Sequence, residues 1–165
     1  MSRADLILFD EEYQRIQEAI TRLRRDANAL CVYMIEKSGQ PIASAGEVGD
    51  IDATALSSLA AGNVAATEGL ALLIGEKEFH SLYHEGDRQN ILSTLVGGRA
   101  ILLVIFNESS SLGLVRLRVR KATVELAAIF ETVHKKSAAE TTATEDPESP
   151  FAEITDEDID KLFAD

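Results

Sequence analysis

Three histidines and one cysteine are the residues whose types could support metal binding or nucleophilic catalysis in this chain. His80 and His84 are four residues apart, which would suit a shared metal ion if both lay on a helix. The segment around them alternates like a strand, where the two side chains would lie about 13 Å apart, too far for one ion. His134 belongs to a different element. We therefore interpret the histidines as structural residues and expect no metal site.

The single cysteine, Cys31, sits in an apolar run, so a buried and inert thiol is expected rather than a nucleophile. The lack of a second cysteine indicates a reducing cytoplasm. The sequence contains neither a GxxxxGKS or GxxxxGKT phosphate-binding loop nor the glycine pattern of dinucleotide-binding proteins. No Ser/His/Asp or Cys/His set is evident. These features predict a binding protein, not an enzyme, with no catalytic residues and no cofactor of its own.

A long helix is predicted from Ile51 to Gly75, with Asp52 as its N-cap. One stripe of this helix is mostly apolar and is expected to lie on the core of the protein. The stripe consists of Leu56, Leu59, Asn63, Ala66, Leu70 and Leu73.

A second stripe on the same helix, one residue earlier in each turn, carries mostly small side chains. An interior glycine costs a helix about 1 kcal/mol relative to alanine, so the two glycines here indicate a requirement other than helix formation. Small side chains let another backbone approach closely, which favours contact with a partner or a second copy. The stripe could instead pack tightly on the protein's own sheet, and the sequence leaves both interpretations open. The predicted partner-binding residues are Ala55, Ser58, Ala61, Gly62, Ala65, Gly69 and Leu72.

The elements around this helix alternate between helical and strand-like patterns. A first helix is predicted from Asp10, as N-cap, to the arginines at 22, 24 and 25, and a last helix from about Ser110 to Lys135. Lys121 and Glu125 could pair on that last helix. The order α-β-β-α-β-β-β-α predicts an α+β fold with five antiparallel strands, and the apolar run 100–106 is expected at the centre of the sheet. The strands are predicted at 29–36, 41–45, 79–85, 90–96 and 100–106, with Pro41 suited to an edge.

The acidic charge of the chain is concentrated at its C-terminal end. The net charge is −12, and residues 137–165 hold ten acidic side chains against one lysine. The remainder is nearly balanced, which argues against nucleic acid as a partner. No window approaches 18 uninterrupted apolar residues and the N-terminus lacks a signal-peptide pattern, so no membrane partner is expected.

The C-terminal end is predicted to contain two different segments. Residues 137–150 have no apolar periodicity and two prolines, so a disordered linker is expected. Residues 151–165 form a short, acidic, amphipathic motif of the kind that folds on a target, although a frayed solvated tail is the alternative. The apolar residues of this tail motif are Phe151, Ile154, Ile159, Leu162 and Phe163.

Several stretches of the sequence resemble the roadblock (dynein light chain) family. They are SSLAAGNVAATEGLALLIGE at 57–76, YHEG at 83–86 and SLGLVRLRVRKA at 111–122. The ending SPFAEITDEDIDKLF resembles the tail of the bacterial, MglB-like branch of that family. The resemblance spans essentially the whole chain.

The resemblance implies a roadblock domain over residues 1–136, with the first and third helices on one face of the sheet and the second on the other. It implies a homodimer that pairs edge strands, here Phe79 to Glu85, and second helices. The resemblance further implies that this protein stimulates GTP hydrolysis by a Ras-like GTPase of the MglA type without an inserted arginine, by repositioning the GTPase's own catalytic residues. It also implies a cytoplasmic protein, concentrated at a cell pole, that helps to place the GTPase at the poles and so controls the direction of motility.

Two other functions remain open at this point. Many roadblock proteins are scaffolds or adaptors that bind and localise a GTPase without accelerating it. A sensory domain for a small ligand is a third hypothesis, but no polar cluster that could form a pocket is evident in the sequence.

Overall fold

The computed structural model describes residues 9–143. Contacts divide the chain into two units, Met1–Val133 and His134–Asp165. Within the described range the elements follow the predicted order. They are α1 (Asp10–Asp26), β1 (Cys31–Glu36), β2 (Pro41–Gly46), α2 (Ala53–Leu73), β3 (Ser81–His84), β4 (Gln89–Val96), β5 (Ala100–Asn107) and α3 (Leu112–Ala143).

The five strands form one antiparallel sheet in the order β2-β1-β5-β4-β3. β5 is the central strand, as its continuous apolar run predicts, and it is buried from Ala100 to Phe106. β2 is one edge, where Pro41 can lack a backbone donor without interrupting an interior ladder. β3 is the other edge. The predicted α+β fold is confirmed.

The sheet has a separate apolar cluster on each face. Because successive side chains of a strand point to opposite faces, Val32 of β1 joins the cluster with α1 and α3, whereas Tyr33 joins the cluster with α2. The first cluster holds Ile16 and Ile20 of α1 together with α3 residues such as Leu126. Two helices therefore cover one face and a single helix covers the other, as the family resemblance implies.

The ends of α1 and α3 differ from the predictions. Phe9, whose side chain has no hydrogen-bond acceptor, is the N-cap of α1, and Asp10 is its first helical residue. α3 continues to Ala143, so residues 137–143 are helical instead of belonging to a linker. Alanine and glutamate at 138–140 are strong helix formers, and Thr141 Oγ1 donates to the Ser137 carbonyl at 2.9 Å. The rest of the predicted linker and the tail motif 151–165 lie outside the described residues.

The predicted core stripe of α2 is wrong for most of its residues, although Leu56 packs against the sheet cluster. The residues that α2 buries are Ser57, Ala60, Val64 and Ala71. From the predicted stripe, Leu59, Leu70 and Leu73 are 74%, 56% and 83% exposed. Nearly every side of α2 is apolar, so the periodicity of the sequence does not identify the side that meets the sheet. The small residues Ser57 and Ala60 suit that side because they allow the helix to lie close to the strands.

Candidate partner-binding site on the second helix

α2 has well-defined ends. Asp52 Oδ1 accepts hydrogen bonds from the backbone N–H groups of Thr54 and Ala55 at 3.0 and 3.1 Å, which confirms the predicted N-cap. At the other end Gly75 adopts a φ of +80°, and Glu76 N donates to the Ala71 carbonyl at 2.9 Å. This is the Schellman arrangement, for which glycine is suited because it lacks a Cβ.

Three kinds of contact fix the rotation of α2 about its own axis. Ala60 and Val64 belong to the apolar cluster on the sheet. Asn63 Nδ2 donates to His84 Nε2 of β3 at 3.2 Å. Lys37, in the turn between β1 and β2, forms a 2.5 Å ion pair with Glu68. The helix therefore presents one defined face outward.

The outward face contains the predicted stripe of small residues. Ala55, Ser58, Gly62, Ala65, Gly69 and Leu72 are all exposed, and Ala61 is half-buried against the sheet cluster. A Cβ added at Gly62 or Gly69 would meet nothing within 4 Å. The interpretation that this stripe packs on the chain's own sheet is therefore wrong. The assignment of these residues to partner binding stays a prediction.

The β1–β2 turn makes a close approach near the first turns of this stripe. Gly39 has a φ of +99°, and a Cβ there would lie 3.4 Å from Ser58 Cα and 3.5 Å from Ala61 Cβ. The turn therefore bounds the stripe near its N-terminal end. A residue without a side chain fits best at position 39 of the turn. The remainder of the stripe is open.

Large apolar side chains lie beside the small ones on the exposed surface of α2. The helix is long and apolar enough, by length and composition alone, to cross a membrane, with a mean hydropathy of 1.2 over its 18-residue window. The sequence criterion of 18 uninterrupted apolar residues did not identify this helix, because small and polar residues interrupt its apolar run. It is weak evidence for a membrane span, because helices that pack on a sheet can pass the same test. A contiguous apolar surface on a folded domain is typical of an interaction site. The exposed apolar residues are Leu59, Leu70, Leu72, Leu73 and the adjoining Ile74.

The α2 face carries almost no charge. The helix has no lysine or arginine, and its single acid, Glu68, pairs with Lys37. α2 itself therefore brings no basic side chain to this face.

The other candidate residues do not form a reactive site in the described part of the chain. Cys31 is buried in the sheet, and desolvation raises the pKa of its thiol to about 11, despite the opposing charge of Arg24. His80 Nδ1 lies 3.7 Å from Glu78, and His84 bonds Asn63. Among residues 9–143 no three histidine, cysteine or acidic side chains could share a metal ion.

The predicted pair on α3 is replaced by a different pair. Glu125 binds Arg22 of α1 at 2.9 Å instead of Lys121. The contact joins neighbouring helices, which a prediction from one helix alone could not include.

β3 offers a second surface for contact. It pairs with β4 through Ser81–His84 and ends the sheet on its other side within the described residues. An open edge presents backbone donors and acceptors to another strand. Pairing with a second copy through this edge stays a prediction.

Comparison with known proteins places this geometry in a family. Residues 15–106 match the model of the Roadblock/LC7 domain. The structure of MglB from Myxococcus xanthus is 50% identical, with 77% of this chain and 96% of that chain covered and a TM-score of 0.73. The gliding protein MglB from Thermus thermophilus is 30% identical, with 79% and 99% covered and a TM-score of 0.74. No curated protein sequence matches the chain. The chain belongs to the Roadblock/LC7 domain family and is similar to MglB proteins.

Proposed function

We propose that this protein is a GTPase-activating protein for a Ras-like bacterial GTPase of the MglA type. The observation that carries the proposal is the exposed face of α2, which combines small residues, apolar side chains and no free charge. The similarity to MglB proteins supports a GTPase as the partner. The face is suited to the apolar surface that the mobile switch segments of a GTPase present.

The absence of a cation on α2 determines the mechanism that we propose. An arginine inserted in trans accelerates GTP hydrolysis by roughly 10³–10⁵-fold, and α2 has no arginine to insert. The route that this face can provide is to bind the catalytic arrangement of the GTPase's own residues more tightly than the inactive arrangement. Each tenfold acceleration by this route requires about 1.4 kcal/mol of such differential binding.

The proposed active form is a homodimer. Pairing of two β3 edges would make a continuous sheet across two chains and would bring two α2 helices side by side. One GTPase would then contact a platform formed by both helices. The tail residues Phe151, Ile154, Ile159, Leu162 and Phe163 would add contacts to the bound GTPase.

The proposed cellular role is control of polarity and direction of motility. We propose a cytoplasmic protein that concentrates at a cell pole, where it would lower the local amount of GTP-bound partner. A fluorescent fusion would test this placement, because a uniform distribution in motile cells contradicts it.

Phosphate release from the GTPase, measured alone and with increasing amounts of this protein, tests the proposed activity. We expect saturable stimulation by the native protein and none by Ala65→Arg. The matched control is Ala128→Arg, which makes the same change at an exposed position of α3. Stimulation that survives Ala65→Arg would assign the activity to another surface.

A scaffold or adaptor is the second candidate. It is favoured by the same lack of a catalytic cation on α2. Fluorescence anisotropy of the GTPase loaded with a labelled GTP analogue separates the two functions. Binding with an unchanged hydrolysis rate indicates a scaffold, whereas binding with a raised rate indicates an activator.

A further inference from the structure

A groove lies on the face of the sheet opposite α2. On that face α1 packs on β1 and β2, and α3 is the only other helix among the described residues. The side of the sheet formed by β4 and β3 is partly uncovered beside α3, and a groove of about 510 Å³ lies there. Pockets that bind small molecules enclose about 300–1,000 Å³. The groove therefore has the size of a small-molecule site.

Two neighbouring hydroxyl groups form part of the floor of the groove. Ser81 of β3 and Thr94 of β4 are paired directly across the two strands, so their Cβ atoms lie about 4.5–5.5 Å apart on one face of the sheet. That face is the one under α3, because Leu92, two residues before Thr94, belongs to the apolar cluster with α3. Neither hydroxyl forms a hydrogen bond with another residue in the range 9–143. Both are therefore available to a ligand.

The groove offers a ligand mainly polar side chains. Leu92 and Val119 line it but are only 1% and 3% exposed, since each already packs in the core. His80 also lines it, with Nδ1 3.7 Å from Glu78, and we assign it no role in binding. A ligand that fits the groove is therefore recognised by hydrogen bonds and charge.

Two arginines form the wall of the groove. Arg116 and Arg120 lie one turn apart on α3, about 6 Å along its axis, and both are exposed. Neither forms an ion pair with another described residue. Residues 112–124 contain three arginines and one lysine but no acid, in a chain with a net charge of −12. The groove therefore carries positive charge that its surroundings do not balance.

These donors identify the chemical class of the ligand. A guanidinium binds a phosphate through two parallel hydrogen bonds, and serine and threonine hydroxyls commonly donate to the remaining phosphate oxygens. A single carboxylate carries one negative charge and would leave one of the two arginines unbalanced. Two linked phosphates supply a charge and an acceptor edge for each guanidinium. The groove therefore matches a diphosphate better than a carboxylate.

We propose that this groove binds the diphosphate group of a small molecule. Arg116 and Arg120 each bind one phosphate, and the hydroxyls of Ser81 and Thr94 donate to oxygens that face the sheet. The site lies on the face opposite α2. It does not depend on the proposed GTPase contact and is tested on this protein alone.

An NMR titration of the full-length, isotope-enriched protein with pyrophosphate tests the site. We expect saturable shifts of the side-chain Nε–H signals of Arg116 and Arg120 and of the amides of Ser81 and Thr94. The Nε–H signal of Arg15, which is exposed on α1, and the amides of β2 should not move. Shifts that do not saturate, or that are equal at Arg15, would reflect charge alone and would overturn the proposal.

Other anions at the same ionic strength identify the group that is recognised. Orthophosphate should bind about tenfold more weakly than pyrophosphate, because it cannot engage both arginines fully. ADP with an affinity equal to that of pyrophosphate shows that the diphosphate alone is recognised, whereas tighter binding of ADP identifies a nucleoside diphosphate. Both results support the site. Citrate that binds as tightly as pyrophosphate would contradict the assigned ligand class.

Removal of the two arginines tests the wall of the groove. Arg116→Gln with Arg120→Gln should weaken pyrophosphate binding by about tenfold or more, because hydrogen bonds from charged donors are the stronger ones. Glutamine is a good helix former, so α3 should keep its structure. Arg15→Gln with Arg88→Gln is the matched control, since it removes two exposed arginines that do not line the groove. Equal affinity for the two double variants would refute the role of the wall.

Removal of the two hydroxyls tests the floor independently. Ser81→Ala with Thr94→Val keeps a β-branched residue in β4 and leaves both arginines in place. We expect the affinity for pyrophosphate to fall about threefold to tenfold, the usual effect of losing neutral hydrogen bonds. An affinity equal to that of the native protein would exclude the hydroxyls as donors and would overturn the site as described.

Discussion

Gly69→Arg on the exposed face of α2 should separate the stability of this protein from its activity. Gly69 has open space around its missing Cβ, so a side chain can be added without a clash inside the chain. Arginine is a better helix former than glycine by roughly 0.8 kcal/mol. For a domain of this size, we expect the melting temperature to rise by about 3 °C.

The same substitution should prevent partner binding. A guanidinium buried in an apolar interface without an acid costs several kcal/mol, and α2 offers only Glu68, which Lys37 already occupies. Because each 1.4 kcal/mol weakens binding about tenfold, a cost near 3 kcal/mol corresponds to roughly a hundredfold loss of affinity. Ala65→Arg should lose binding to a similar extent with a melting temperature near that of the native protein.

Thermal melts, light scattering and GTP hydrolysis on the same variants give the decisive comparison. Light scattering shows whether the loss arises from dissociation of a dimer or from loss of the GTPase contact. Ala128→Arg on α3 is the control for the added charge. A folded Gly69→Arg protein that stimulates hydrolysis fully would refute the assignment of this face.

Three further predictions concern other parts of the chain. Light scattering at micromolar concentration should give about twice the chain mass of 17.9 kDa, and a clean monomer would contradict pairing through β3. Removal of residues 137–165 should leave the fold intact, since the described residues after Val133 are not buried. The affinity for the GTPase or its turnover should change. Equal affinity and turnover for the truncated and full-length proteins would exclude a role for the tail. The free energy of unfolding should fall by about 2 kcal/mol as the pH rises from 9 to 11, because the unfolded Cys31 thiol ionises near its ordinary pKa of 9.0 whereas the folded thiol holds its proton to about 11. Urea titrations across that range should show a smaller decline for Cys31→Ala, and an unchanged decline would assign it to other groups.

The sequence predicted those features that depend on local chemistry or on burial from both sides. The apolar run of β5 identified the central strand because only a doubly covered strand needs apolar residues on both faces. Asp52 identified the start of α2 because its short acidic side chain can accept the first orphan N–H groups. Pro41 indicated an edge strand because proline has no backbone N–H to donate to a neighbouring strand.

The sequence could not predict features that depend on a neighbouring element or a partner. Leu59 and Leu73 are large apolar residues at helical spacing, so the pattern predicts that they are buried in the core. In the structure both are exposed, and α2 buries Ser57 and Ala60 instead. Two positions fitted the pattern of the small stripe, and the structure places it on the outward surface of α2, beside the leucines that were expected in the core. Glu125 pairs with Arg22 because α1 lies beside α3, and no pattern within α3 contains that information.

The hydrogen bond between Asn63 and His84 connects the two surfaces proposed for contact. Asn63 belongs to the helix that would support the GTPase, and His84 belongs to the strand that would join the two chains. A displacement of α2 along its axis would therefore pull on the strand at the dimer edge. Equilibrium coupling between binding sites is reciprocal. If dimer formation raises the affinity for the GTPase through this bond, GTPase binding must raise the dimerisation affinity by the same factor. Asn63→Ala should then weaken both effects together.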